Sequence, residues 1–163
     1  MKTQTALLAV ALAALPASVG ASNPLTDGAL PVPANRIVGL WTTVGKVAPC
    51  DSPAAPTITI TNTLLFNAGG TLVENSGLSN PSGPGRTWGL GTWRYDPRTR
   101  RYTMFLRFNH YLNGVYTGFA TVDRELVLSN NDTVANGLVV STRYDTAGEQ
   151  ISQLCGSAMS TRL

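Results

Sequence analysis

From Ile37 onward, apolar and polar residues alternate with a period of two, and short clusters of glycine, proline, asparagine and aspartate interrupt the alternation. In "TITITNTLLF" (57–66), Ile58, Ile60, Asn62, Leu64 and Phe66 share one face, and Thr57, Thr59, Thr61 and Thr63 share the other. Successive side chains of a strand point to opposite faces, so this is a half-buried strand and not a helix. "YTMFLRFNHY" (102–111) places Tyr102, Met104, Leu106, Phe108 and His110 on one face, with Thr103, Phe105, Arg107 and Asn109 on the other. The first of these faces is expected to point inward. Further strands are predicted at 37–47, 71–77, 86–95, 115–128, 133–145 and 150–162, separated by the turn signals "NAGG", "DPRTR", "LNG", "SNND" and "DTAG". No helix of useful length is predicted. The expectation is an all-β domain of eight strands, each joined to the next by a hairpin.

Eight antiparallel strands build either a sandwich or a closed up-and-down barrel. The chain has two cysteines, Cys50 just beyond strand one and Cys155 in strand eight. If strand one runs upward, both lie in the upper half, and a bond between them ties the first strand to the last. That is the seam a barrel has to close, so the pair favours the barrel. The same reckoning puts the long loops 48–56 and 78–85 at the top and turns of four or five residues (67–70, 96–100, 129–132) at the bottom. One tight end and one open end is the build of a ligand-holding barrel.

The N-terminus adds a location. Lys2 precedes an apolar run, Ala6 to Leu15, and Val19 and Ala21 are small enough to precede a cleavage point. The run is too short to span a bilayer and ends at Pro16. Residues 1–21 read as a secretory signal peptide, 22–35 ("SNPLTDGALPVPAN") as a flexible leader, and 36–163 as the barrel domain. The product is expected to be secreted or periplasmic, without a membrane span, and oxidised at its cysteines. Loss of Lys2 with the signal peptide lowers the formal charge of +3 by one. Bulk electrostatics at that level give no case for a nucleic-acid partner.

The stretch "RTWGLGTWRYDPRTRRYTMFLRFNH" (86–110) holds a Gly-x-Gly, six arginines and the chain's single histidine. A phosphate loop needs its glycines between a strand and a helix. Gly89 and Gly91 instead precede another strand-like run, which suits relief of curvature or room for a neighbouring ring. His110 closes the inward face near the open mouth, where it is a candidate ligand contact with Phe108, Leu106 and, from the next strand, Tyr116. Glu74 alternates with Leu72 and is a further cavity candidate, as is Asn62. Asp123 and Glu125 share a face two residues apart, but "TVDREL" reads as an outer surface with a cross-strand ion pair rather than a glycosidase pair. No catalytic residue, metal site or cofactor is assigned: there is no Gly-x-Ser-x-Gly elbow and no zinc-type histidine spacing. "NDT" at Asn131 is a glycosylation sequon.

"GLWTTV" (39–44) opens the first strand of this meander. It resembles the Gly-x-Trp that opens lipocalins and other calycin-type barrels. The resemblance implies that Trp41 plugs the closed end and stacks with an arginine near the last strand, a place that Arg162 occupies here. Barrels of allene-oxide-cyclase type, some of which catalyse cyclisations, offer a second resemblance of architecture. Three function classes follow. The first is binding of a small apolar or amphipathic molecule inside the barrel, which the thin acid–base inventory favours. The second is a cyclase- or isomerase-like enzyme using the same cavity, and the third is a structural or inhibitory barrel with a filled core.

Overall fold

A computed structural model describes residues 32–52, 54, 55, 57–76 and 83–163. The expected signal peptide, most of the expected leader and residues 78–82 of the upper loop lie outside the described residues.

Among the described residues, nine strands make one antiparallel sheet: β1 (Gly39–Pro49), β2 (Ile58–Phe66), β3 (Thr71–Asn75), β4 (Pro84–Arg86), β5 (Gly89–Asp96), β6 (Arg101–Leu112), β7 (Val115–Ser129), β8 (Val134–Tyr144) and β9 (Gln150–Arg162). The two short pieces β4 and β5 both pair with β6, so together they form one barrel strand broken at Thr87 and Trp88. The break is a local shift: the backbone N–H of Asn109 bonds the Thr87 hydroxyl instead of a carbonyl. The barrel therefore has the eight strands that the alternation predicts. Its last strand pairs with its first, from Trp41 opposite Arg162 to Pro49 opposite Leu154. Closure pairs the first and last strands, which would be the two long edges of an open sheet, and that is the physical reward of this topology.

Cys50 and Cys155 are bonded across that seam, with their Cα atoms 4.9 Å apart. The backbone beside them continues the seam, where the Cys50 N–H donates to the Gln153 carbonyl at 3.1 Å.

The lower end is filled. Ile37, Trp41, Phe66, Leu72, Trp93, Tyr102 and Leu126 are all buried there. Trp93 sits between the rings of Phe66 and Tyr102, at centroid distances of 6.3 and 6.1 Å. Its indole N–H is shared by the carbonyls of Asn67 and Thr71 in the bottom turn. The end of the expected leader belongs to this floor. Val32–Asn35 is a single helical turn, Ala34 is buried, and the Tyr102 hydroxyl donates to the Pro33 carbonyl. Ile37, predicted as strand, instead lies under the barrel and accepts the Trp41 indole N–H at 2.8 Å.

Candidate functional site

Above the aromatic floor, two hollows stand one over the other. The lower is a chamber of about 80 Å³ inside the barrel, walled by Leu64, Met104, Leu106, Val122 and Val139 and by the polar groups Thr43, Asn62, Glu74, Arg86 and Arg124. The upper is the mouth, about 510 Å³, lined by Ile58, Ile60, Phe108, Ala120 and Leu154 with Arg86, His110, Ser141 and Arg143. Ile60, Arg86, Phe108 and Ser141 line both. The partition between them is a stack: the Arg86 guanidinium carbon lies 3.3 Å from the centre of the Phe108 ring.

Arg86 is held there by Glu74. The two form a buried ion pair through Nη2 and Oε2, while the Asn62 amide N–H donates to the other carboxylate oxygen at 2.8 Å. Burial pushes the Glu74 carboxyl above its ordinary value, against the opposing pull of Arg86, of Asn62 and of the Gly89 backbone N–H. Gly89 explains the glycine at that position. A Cβ there would lie 2.8 Å from Glu74 Oε2 and 3.1 Å from both Glu74 Cβ and Leu106 Cδ1. The expected neighbouring ring is therefore a carboxylate arriving from β3, and Gly91 lets β6 approach closely, since a Cβ would stand 2.0 Å from the Phe105 carbonyl oxygen.

His110 faces the mouth, with its ring edge-on to Phe108 at 5.1 Å. Burial lowers its pKa first, and the charges of Arg143 and Arg86 lower it further. The imidazole is consequently neutral at neutral pH, with one nitrogen able to accept a hydrogen bond.

Of the residues singled out in the sequence, Leu106 lines the chamber, Phe108 lines both hollows, and Asn62 and Glu74 meet in the buried network. Tyr116 stands apart. A register shift after His110 places Gly118 opposite the histidine and Tyr116 opposite Tyr111, and the two tyrosine rings contact each other at 5.9 Å. Tyr116 lines neither hollow. At the closed end, Trp41 is fully buried, and Arg162 lies over its ring while donating to the Val38 carbonyl at 2.7 Å.

Arg86, Arg143 and Arg124 escaped the sequence reading as site residues. For Arg124 a signal was present: if Asp123 and Glu125 share the outer face, the residue between them has to point in. Glu125 does pair outside, with Arg101. Arg124 is buried inside.

No protein-family model matches this chain, and no curated protein matches it. Among solved structures, the chain is similar to the crystal structure of Rv2717c from M. tuberculosis, at 11% identity and a TM-score of 0.38, over 78% of this chain and 93% of that one. That is a distant structural neighbour.

Proposed function

We propose that this protein binds a small hydrophobic or amphipathic molecule in the open end of its barrel. The observation that carries the reading is the mouth hollow of about 510 Å³, apolar on its walls and with Arg86, His110 and Arg143 converging on it. A size of about 300–1,000 Å³ and a few convergent polar groups on an apolar wall are what small-molecule sites share. The polar groups are two cations and a neutral imidazole, which suits a ligand whose polar end is anionic or accepts hydrogen bonds.

For the cyclase- or isomerase-like alternative, both Glu74 oxygens are already engaged by Arg86 and Asn62, which leaves the His110 imidazole as its one candidate base at the mouth. A purely structural barrel would account for the packed floor, but not for the hollow above it. The disulfide supports an exported protein, because such bonds persist in oxidising compartments. Among the described residues no helix is long and apolar enough to cross a membrane.

Native mass spectrometry of the protein purified from its own host tests the reading. The expected result is a retained small molecule, released on unfolding and rebound with Phe108-dependent affinity. Protein that carries no ligand and takes up none from a lipid and metabolite extract would return the barrel to a structural role.

A further inference from the structure

The lower chamber contains a charge without a counter-charge. Arg124 is 4% exposed. Its Nη1–H donates to Ser160 Oγ at 2.8 Å, and Nη2–H donates to the carbonyls of Ala158 at 2.7 Å and Ala135 at 3.2 Å. Every one of these acceptors is neutral. The ion pairs among the described residues join Arg36 to Asp132, Arg86 to Glu74 and Arg101 to Glu125, and Arg124 takes part in none. Its chain neighbours Asp123 and Glu125 are on the opposite face of the strand.

Burial pushes the Arg124 guanidinium down to about 10, which still leaves it charged at physiological pH. The interior then holds Arg86 and Arg124 against Glu74, one positive charge in excess. Were burial to protonate Glu74, the excess would grow. A buried cation with no partner is strongly disfavoured, and proteins supply such groups with a counter-ion.

The chamber is also equipped to hold one. Arg124 Nε is buried with its N–H lacking a hydrogen-bond partner, and Arg124 lines the chamber. Thr43 is 2.6 Å from Ser160, and if Ser160 donates in that bond the Thr43 hydroxyl proton turns toward the chamber. A volume of about 80 Å³ is smaller than the ~150 Å³ cavity that admits benzene. It suits a carboxylate and a short stretch of alkyl chain, with Met104, Leu106 and Val139 as the apolar wall.

We propose that the lower chamber is a carboxylate-binding site, with Arg124 as its anchor and the Thr43 hydroxyl as the second donor. The site stands whether or not the mouth holds a ligand. Two sources present the same chemistry: a short free acid enclosed in the chamber, or the head of a long-chain acid whose tail passes between Arg86 and Phe108 into the mouth.

The test uses the whole mature chain with acetate, butyrate or decanoate, against chloride at matched ionic strength and neutral pH. Butyrate is expected to raise the melting temperature in a concentration-dependent way that chloride does not reproduce. In the unmodified protein, nuclear Overhauser contacts are expected from the butyrate methyl to the methyls of Met104 and Leu106. Arg124→Met should weaken binding at least about tenfold, and Arg124→Lys, which keeps the charge without the Nε donor, by less. Decanoate that protects at much lower concentration and perturbs Phe108 and His110 identifies the long-chain source, and protection confined to the short acids identifies the free one. Absence of the Overhauser contacts, equal protection by chloride, or unaltered binding in both Arg124 variants would each overturn the proposal. Those contacts need no variant, so a misfolded Arg124→Met does not blunt the test. Carboxylate binding that follows Arg143→Met rather than Arg124 would remove the chamber site and leave the mouth reading intact.

Discussion

Arg162 caps the indole of Trp41. Its guanidinium carbon is 4.4 Å from the ring centre, and the two residues stand opposite each other across the β1–β9 seam. Gly39 permits the approach: its φ is +134°, and a Cβ there would lie 2.8 Å from Arg162 Nη1. The guanidinium also donates to the carbonyls of Arg36, Val38 and Asp132, so one side chain fastens the incoming chain, the first strand and a bottom turn.

Removal of this clamp is expected to cost stability and not binding, because it lies at the end opposite the mouth. Arg162→Ala loses a cation–π contact of about 0.5–2 kcal/mol along with the bonded carbonyls, and a fall in melting temperature of roughly 5 °C is expected. Calorimetry alongside ligand titration checks this. Affinity lost with stability unchanged would contradict the assignment.

The disulfide joins residues 105 apart in sequence. In the chain-entropy account a loop of that length contributes about 4–5 kcal/mol by restricting the unfolded chain. The double substitution Cys50→Ala with Cys155→Ala is expected to lower the denaturant midpoint accordingly, and reductant should do the same to the native protein. Coincident unfolding curves with and without reductant would show that the bond adds nothing to the seam.

Phe108 is the shared wall of both hollows and is 7% exposed. Phe108→Ala is expected to cost about 3–5 kcal/mol of stability, as for a packed core ring. It should also weaken ligand binding at the mouth and free the Arg86 guanidinium from its stack. Isothermal titration with the ligand recovered from the host measures the binding loss, and denaturant unfolding measures the rest.

His110 gives a pH dependence with a definite sign. Its folded pKa lies below the ordinary 6.5, through burial and then the nearby Arg143 and Arg86. The unfolded chain therefore takes up this proton first, and the folded state loses stability as pH falls from about 6.5 toward the lowered value. Stability above that window is unaffected by the group. Unfolding curves for His110→Ala should be flatter through this window than those of the parent, and its ligand affinity should lose the corresponding pH dependence. A parent stability that rises on acidification through the same range would refute the burial of this imidazole.

The alternation of single residues accounts for most of what was legible without a structure. Tyr102, Met104, Leu106 and Phe108 face inward as their spacing requires, because a strand leaves a side chain only two directions. Counting hairpins then sets the direction of every strand, and with it the placement of Cys50 against Cys155 and Trp41 against Arg162.

Register and depth were decided elsewhere. Tyr116 misses the mouth because of a one-residue shift after His110; the local mark of that shift is Gly118, a glycine inside the strand at φ +122°, and alternation alone does not count the extra residue. Arg86 becomes the partition because Glu74, twelve residues earlier and one strand away, reaches it across the space that Gly89 leaves open. The inward direction of Arg124 follows from its place between Asp123 and Glu125, but its isolation does not: only closure of the barrel, which pairs β7 with β8 and β8 with β9 and encloses the guanidinium, withdraws it from water and leaves it outside the ion pairs of the described residues. Side-chain direction is a property of the strand and follows from its own residues. Burial, partnership and the size of a cavity are properties of what lies across the barrel, and those contacts exist once the sheet has closed on itself.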